Sequence, residues 1–354
     1  MPALGTIVTT TTQSRLLRKA VDNILSGNVL TARLMDQAVS WEGGTSIDIP
    51  VFLTTVGAPG ITSLGSYSGF DTLITTQENT RQRATFTPSQ EYVSIPISGI
   101  QQAVNRGPNA VLNLVATEID FRMKALKDEM GTQLYSDGTG NSSKDLTGLI
   151  AQVDDNTNVT TFGGLSRATY TSWRSTLTAQ SGSLSLANLA ADFDAAQVGS
   201  EMPTIMVTTP AVFTIYEALL TPTVSHQFSM NDFRLVRRSP TADTQGGSEL
   251  VRVGGTLAAN QGFRALTFRG IPIVADEKCT SQNIYTLNES HLQFYTIPQE
   301  GIEGASRKAL GGGFYQREFL SGQNQDASVS EVFWYGQLVG DGPRFHARRT
   351  GVSS

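Results

Sequence analysis

The sequence predicts an α+β fold organised around one long amphipathic helix. Three observations support this class: an apolar stripe with helical spacing over residues 108–135, two proline-containing strand patterns at 46–53 and 83–97, and a succession of helices and strands after residue 181. A three-to-four-residue period is typical of amphipathic helices, and alternation is typical of half-buried strands. Both kinds of element are therefore expected in one chain.

The long helix is predicted for residues 108–135. Pro108 suits a first helical turn, and the apolar residues then follow in steps of three and four. They are Leu112, Val115, Ile119, Met123, Leu126, Met130 and Leu134. At roughly 1.5 Å per residue, the rod is on the order of 40 Å long and needs a broad partner surface. On this stretch alone, a core helix of an ordinary enzyme is an alternative.

The N-terminal segment begins with a Thr-rich, nearly uncharged run that is predicted to be extended or disordered. A short helix is predicted from Gln13 to Ser26, closed by Gly27. Its basic face carries Arg15, Arg18 and Lys19. This segment is interpreted either as an arm that lies on another subunit or as a helix packed within its own domain.

The two strand patterns flank a connection rich in Gly, Ser and Thr. Prolines mark the strands as exposed or bent, and a two-stranded arm with so little apolar content is marginally stable alone. We therefore expect another chain to cover it. The residues predicted to contact that chain are Gly57, Pro59, Gly60, Tyr67, Phe70, Arg81 and Arg83. The alternative is a mobile lid over an active site, for which the tip offers only Asp71 and Glu78.

Further elements are predicted downstream. They are a helix at Leu184–Val198, a buried strand at Pro203–Thr209, a helix at Pro210–Leu220, a tight hairpin at Gly270 and Pro272, strands at Asn283–Asn288 and His291–Tyr295, and a C-terminal hairpin of residues 330–339 and 343–352 with its turn at 340–342. The glycine and proline positions carry the turn predictions.

Composition limits the function. The 354 residues carry a net charge of −5, with a pI of about 5.3, so the chain is not a nucleic-acid condenser. Charged residues are 16 % of the chain, fewer than usual, and neutral polar surface suits large close-fitting interfaces. One cysteine excludes an intrachain disulfide and suits a reducing compartment. No apolar run is long enough to cross a membrane, and no signal peptide begins the sequence.

Catalytic and metal-binding patterns are absent from the sequence. The three histidines are far apart in sequence, and none has a second ligand at helical spacing. Phosphate-loop, dinucleotide-binding and serine-hydrolase motifs do not occur. Asp154 and Asp155 are adjacent in a predicted turn and are interpreted as solvated carboxylates rather than an acid–base pair. We therefore predict a protein that is not an enzyme and holds no cofactor or metal.

Several motifs resemble one known family. A glycine-rich stop at Tyr135–Asn141 follows the long helix, Gly163–Trp173 lies downstream, and Phe268–Asp276 reads F-x-G-x-P-I-V-x-D. Their order over about residues 40–350 resembles the tailed-bacteriophage major capsid proteins, whose fold is shared with encapsulins and the herpesvirus capsid floor. The resemblance implies an N-terminal arm (1–45), an extended β-hairpin loop with its strands (46–98), a peripheral domain with the spine helix (99–180), a central (axial) domain (181–300) and return strands of the peripheral domain (301–354).

The resemblance also implies a function. Hexamers and pentamers would form an icosahedral shell around double-stranded DNA in the virion, assembled in the host cytoplasm. Scaffolding, portal and decoration proteins are implied partners, and contact with packaged DNA would be weak and non-specific. No lysine lies between Lys19 and Lys124, so the loop cannot supply the amine of the isopeptide cross-link that some members form. The start at Met1 leads us to expect no N-terminal cleavage, and a separate scaffold or none. The alternatives are an encapsulin-type compartment and a soluble α+β enzyme with a lid.

Overall fold

Helices and several β-sheets build the fold, which confirms the predicted α+β class. The computed structural model describes residues 28–53, 66–73, 75, 81–104, 114–180, 182–224, 265–298, 307–321 and 326–353. The helices are α1 (Val29–Asp36), α2 (Gly99–Val104), α3 (Leu114–Leu134), α4 (Gly140–Ser143), α5 (Leu149–Gln152), α6 (Leu186–Ala196) and α7 (Pro210–Val224). Short 3₁₀ turns span Thr171–Trp173, Glu289–His291 and Pro343–Phe345. Among the described residues, no helix is both long and apolar enough to cross a membrane.

The strands are numbered in chain order. They are β1 (Val39–Ser40), β2 (Ile47–Phe52), β3 (Arg81–Phe86), β4 (Ser89–Ser98), β5 (Thr161–Phe162), β6 (Leu165–Ser166), β7 (Thr176–Ala179), β8 (Ile205–Thr208), β9 (Ala265–Phe268), β10 (Ile271–Ala275), β11 (Ile284–Leu287), β12 (Leu292–Thr296), β13 (Arg307–Gly311), β14 (Phe314–Arg317), β15 (Leu320–Ser321), β16 (Ala327–Gly340) and β17 (Ala347–Thr350).

The chain divides into two compact units, the first of which takes in the described parts of residues 91–128 and 299–333. In this unit β13 and β14 form an antiparallel hairpin. Its turn is Gly312–Gly313, where both φ angles are positive, a conformation that glycine adopts without steric cost. Strands β4, β14 and β15 pair with β16. Lys127 of α3 lies over the Phe314 ring, with 5.5 Å to its centroid.

The second unit contains a six-stranded sheet with the order β7-β17-β11-β8-β10-β9. Every residue of β8 and of β11 is buried. A core on this sheet combines Leu189 and Phe193 of α6 with Phe213 and Tyr216 of α7. Apolar residues at these spacings face one side of each helix, so the sheet and both helices share one dry interior.

A second core in the same unit forms around β2 and β3. Apolar residues of these antiparallel strands pack against the β5–β6 hairpin, against Trp173 and against Val339. The turn of that hairpin is Gly163–Gly164, with φ angles of 57° and 73°. A side chain at Gly163 would meet the Phe86 ring at 3.0 Å. The glycine therefore lets the two hairpins approach closely.

Local sequence signals located several of these elements correctly. The long helix is confirmed over Leu114–Leu134, whereas its predicted first turn lies outside the described residues. The β9–β10 hairpin turns at Arg269 and Gly270, both with positive φ, which is the two-residue turn that such a hairpin prefers. The helices predicted at 184–198 and 210–220 correspond to α6 and α7. The predicted helix at 13–26 lies outside the described residues.

The predicted C-terminal hairpin is wrong. The Asp341–Gly342 turn does not return the chain onto β16, because a 3₁₀ turn at Pro343–Phe345 follows it. Strand β16 pairs with β12, whereas β17 inserts between β11 and β7 in the six-stranded sheet. Both arginines of β17, Arg348 and Arg349, are buried.

Three successive residues after α3 adopt positive φ without being glycine: Asn141 at 47°, Ser142 at 61° and Ser143 at 61°. The left-handed backbone conformation costs an L-residue roughly 1 to 2 kcal/mol. We therefore expect Ser142→Gly to raise the free energy of unfolding by about 1 kcal/mol. The matched control is Ser142→Ala, which removes the same hydroxyl but keeps Cβ and is expected to give no gain. Denaturant unfolding of both variants measures the difference, and equal stabilities would contradict the strain.

Candidate intersubunit loop and its anchor

The candidate site is the loop between β2 and β3 together with the structure that anchors it. The register pairs Ile47 with Phe86 at one end of the hairpin and Phe52 with Arg81 at the other. Burial alternates along both strands, so one face enters the second unit's core. The prediction that this arm needs another chain to cover it is therefore wrong for its base, which packs on its own unit.

The described part of the loop exposes large apolar side chains. Tyr67 is 69 %, Phe70 is 102 % and Leu73 is 57 % exposed. A turn holds this tip, because the Asp71 N–H donates to the Ser68 carbonyl at 3.0 Å and the Ser68 N–H donates to the Asp71 carboxylate at 2.6 Å. Phe70 thus projects from an ordered turn without covering any surface of its own chain.

The two loop arginines that the sequence singled out lie on β3. Arg81 stacks over the Phe52 ring at 4.9 Å from its centroid. Arg83 lies 3.5 Å from the Asp48 carboxylate in a largely exposed pair, a kind of contact that contributes little to stability. Gly57, Pro59 and Gly60 lie outside the described residues, as do Arg15, Arg18 and Lys19 of the N-terminal arm.

The spine-helix residues show graded burial along α3. Val115, Ile119 and Met123 are half-buried, whereas Leu126 is 5 % and Met130 is 0 % exposed. Leu112 lies outside the described residues. Their role in packing against a broad partner surface stays a prediction.

A buried ionic centre supports the loop anchor, and the sequence did not reveal it. Asp154 is fully buried rather than solvated, so the interpretation of this residue as a surface carboxylate is wrong. Its carboxylate accepts hydrogen bonds from the N–H groups of Asn156, Asn158 and Val159. Burial alone raises the pKa of the Asp154 carboxyl, but these hydrogen bonds outweigh it and the pKa is lowered. The carboxylate therefore stays ionised.

Two arginines balance that charge. Arg167 lies 4.0 Å and Arg348 lies 3.8 Å from the Asp154 carboxylate, and both are buried. Burial lowers the pKa of Arg167 to about 10, although Asp154 opposes this effect. Arg167 also lies over the Phe162 ring, 5.1 Å from its centroid. The centre thus joins the β5–β6 hairpin to the strand β17.

The second unit contains two more buried ion pairs between an arginine and a carboxylate. Arg33 binds Glu289 through two nitrogens at 2.6 and 2.7 Å, and Arg349 binds Asp192 in the same bidentate way. All four side chains are almost completely buried. Some of the chain's arginines therefore form ion pairs in the interior of this unit.

A sequence signal for the burial of Asp154 does exist. The run Asp-x-Asn-x-Asn at residues 154–158 is typical of a turn in which the aspartate carboxylate accepts hydrogen bonds from backbone N–H groups, and it could have identified Asp154.

The anchor's apolar core gives a testable contrast between two phenylalanines of the same hairpin. Phe86 is 4 % exposed and Phe52 is 70 % exposed. We expect Phe86→Leu to lower the free energy of unfolding by about 1 to 2 kcal/mol, because the smaller side chain leaves part of the core unfilled. The control Phe52→Leu is expected to stay within about 0.5 kcal/mol of the wild type. Urea titration measures the free energy of unfolding of both variants, and equal decreases would refute the assignment of the buried face.

The fold defined by these elements is that of phage capsid subunits and encapsulins. The chain is similar to the capsid subunit of cyanophage A-1(L), with a TM-score of 0.72, 14 % identity, and coverage of 99 % of this chain and 100 % of that one. It is also similar to the SrpI encapsulin of Synechococcus elongatus PCC 7942, with a TM-score of 0.58, 12 % identity, and coverage of 99 % and 96 %. For the capsid of Myoviridae phage XM1 the TM-score is 0.55, at 11 % identity and coverage of 99 % and 100 %. No family model and no curated protein sequence matches the chain.

Proposed function

We propose that this chain is the major capsid protein of a tailed bacteriophage. Its copies would associate through hexamers and pentamers into an icosahedral shell that encloses double-stranded DNA. The observation that carries the proposal is the agreement in fold with the cyanophage A-1(L) capsid subunit over essentially the full length of both chains. The proposal therefore concerns the whole chain and not one domain of it.

The loop geometry supports this role. The hairpin base is anchored in a core and the tip presents exposed aromatic side chains. Aromatic side chains are enriched in protein–protein interfaces relative to the rest of the surface, and tyrosine is frequent among the residues that contribute most to binding. The shell would thus be held by loops that lie on neighbouring copies, with a rigid anchor behind each loop.

The partners and location follow from the same proposal. The protein would reside in the virion capsid after assembly in the host cytoplasm, with scaffolding, portal and decoration proteins as further partners. A net charge of −5 favours weak, non-specific contact with packaged DNA over tight binding. Catalysis has no part in this function.

Assembly of the purified protein tests the proposal. We expect sedimentation velocity to show large particles in equilibrium with small oligomers, and electron microscopy to show closed shells with icosahedral symmetry. Capsid assembly depends on concentration, so a dilution series should show a threshold below which the particles disappear. A chain that stays monomeric across the whole series would refute the shell function.

The similarity to the SrpI encapsulin favours a protein compartment as the second candidate. Both candidates form shells, so their contents distinguish them. Particles isolated from the native source and treated with nuclease should protect double-stranded DNA if the protein is a capsid subunit. An enclosed cargo enzyme without protected DNA would favour the compartment, and portal and terminase genes beside the coding sequence would favour the phage.

A further inference from the structure

A groove of about 350 Å³ opens along β2 in the second unit. Residues 49–53, Trp173, Val198 and Phe345 give it a largely apolar lining, while Arg344 and Asp341 add one charged group of each sign. The volume is near the lower end of the range for ligand pockets. It is suited to one large side chain rather than to a whole helix or an extended cofactor.

The side chains that line the groove are held in place by their own partners. The Trp173 indole donates to the Phe162 carbonyl at 2.9 Å. The Phe345 ring stacks on His291 with centroids 4.0 Å apart and an angle of 5°. Because these aromatic walls are fixed before anything binds, an occupant would not have to order them.

Arg344 differs from the other charged residue of the groove, Asp341, because its guanidinium has no ion-pair partner among the described residues. Its side chain is exposed, and no carboxylate in the described ranges forms an ion pair with it. The neighbouring Asp341 is already hydrogen-bonded to His291, with 2.8 Å between the carboxylate and Nδ1. The groove therefore combines apolar walls with a guanidinium that is open to a partner and a carboxylate that is already held by His291.

The loop tip has complementary features. Phe70 is fully exposed and is followed directly by the acidic Asp71, in the turn that the Ser68 hydrogen bonds close. Moving a phenylalanine side chain from water into an apolar groove is favourable, because it removes a large apolar surface from water. An exposed aromatic beside a carboxylate thus matches an apolar groove beside a guanidinium.

We propose that the groove along β2 receives Phe70 of a second copy of this chain, with that copy's Asp71 carboxylate meeting Arg344. The inference rests on the proposed shell function and names the contact by which one subunit holds the loop of the next. A second copy is the occupant because the Phe70 side chain is fully exposed on its own subunit, and because both halves of the contact are repeated on every copy. Head-to-tail contacts of this kind build closed rings when the rotation between neighbouring copies closes.

Engineered disulfides test the contact directly. The chain's one cysteine, Cys279, is buried, and burial raises the pKa of its thiol well above the usual value, so it is a poor reactant. In assembled Phe70→Cys/Val198→Cys particles, mild oxidation should produce a ladder of covalently linked chains on a non-reducing gel. The matched control is Tyr92→Cys/Val198→Cys, which places a thiol at another exposed aromatic position and should give monomers.

Two outcomes would overturn the inference. A fast-migrating monomer with an internal disulfide would mean that the loop enters the groove of its own chain. Assembled particles without any ladder would mean that Phe70 does not reach the groove. In both cases the shell function stands, because assembly is measured separately. If the wild type itself forms no particles, the shell function fails and the inference fails with it.

Charge variants test the second half of the contact. Arg344→Glu should raise the concentration needed for assembly about tenfold, since it places two like charges together. Asp71→Asn should raise it severalfold, because the amide oxygen still accepts the Ser68 hydrogen bond and only the charge is lost. Circular dichroism is expected to show both variants folded. Unchanged assembly thresholds for both would overturn the assignment of this ion pair.

Discussion

Replacement of Arg167 by methionine is expected to lower the free energy of unfolding by about 3 to 5 kcal/mol, because it removes one of the two arginines that balance the buried Asp154 carboxylate and takes a charged donor away from buried backbone carbonyls. Arg167 is 0 % exposed. Its guanidinium donates to four backbone carbonyls, at distances of 2.7 to 3.2 Å: those of Ala151, Gln152, Val159 and Trp173. Methionine fills much of the volume but deprives all four carbonyls of this donor, and of the four the Gln152 carbonyl also accepts from the Ser175 hydroxyl, at 3.1 Å.

Two further variants separate the causes. Arg167→Lys keeps the positive charge but not the planar group with its several donors, so it is expected to lose about 2 kcal/mol. Arg83→Met is the matched control, since Arg83 is 74 % exposed and pairs with Asp48 on the surface; it should change stability by less than about 0.5 kcal/mol. Denaturant unfolding of the unassembled subunit provides all three values. A stability of Arg167→Met within 1 kcal/mol of the wild type would contradict the structural role of this arginine.

Features that depend on nearby residues were accessible from the sequence. The period of apolar residues located the long helix, and Gly270 located the β9–β10 turn. The exposure of Tyr67 and Phe70 at a loop tip also follows from their Gly- and Ser-rich surroundings. In each case, the determining interactions lie within a few positions along the chain, so pattern and turn chemistry suffice.

Features that depend on distant residues were not accessible. Asp154 and Asp155 have the same local context, but only Asp154 is fully buried, because Arg167 and Arg348 meet it from elsewhere in the fold. The C-terminal turn was misassigned for a related reason: Asp341–Gly342 is a plausible hairpin turn, but the strand that follows pairs with β11 and β7 instead. A local pattern predicts that a strand exists, whereas its partner is chosen by the whole sheet.

Sequence-based prediction missed the anchor and the groove of the candidate site for the same reason. Loop residues were predicted because glycines and exposed aromatics mark them directly. Arg344 and Phe345 were not predicted, because their role depends on Trp173 and on residues 49–53 lying beside them. An interface between copies is composed of such convergent surfaces, so sequence reasoning finds the projecting loop more easily than the surface that receives it.

Acidification is expected to destabilise the subunit through His346. This side chain is 0 % exposed, and its Nδ1 accepts the Asn288 N–H at 3.2 Å, which leaves the proton of the neutral ring on Nε2. Burial lowers the pKa of His346 to about 3, and repulsion from His291 adds to this, while Asp341 opposes it. The folded protein thus keeps His346 neutral under conditions in which the unfolded chain binds a proton.

The direction of the effect and its pH range follow from the pKa of His346 in the two states, which is about 3 in the folded protein and about 6.5 in the unfolded chain. Above about pH 6.5 the imidazole is neutral in both states and makes no pH-dependent contribution. As the pH falls from about 6.5 towards 3, only the unfolded state takes up the proton, so the free energy of unfolding decreases by about 1.4 kcal/mol per pH unit. The loss reaches about 2 kcal/mol at pH 5 and on the order of 4 to 5 kcal/mol at pH 3.

His346→Asn isolates this contribution, because the asparagine oxygen can accept the Asn288 N–H and does not titrate. The variant should be less stable than the wild type at pH 7, since the smaller side chain leaves space unfilled. The difference should then shrink steadily as the pH is lowered to 4. Burial raises the pKa of Asp192 and of Asp276, but both carboxyls are present in both proteins, so their titration cancels in the comparison. Urea titrations at a series of pH values measure the two curves, and parallel curves would show that His346 does not couple protonation to folding.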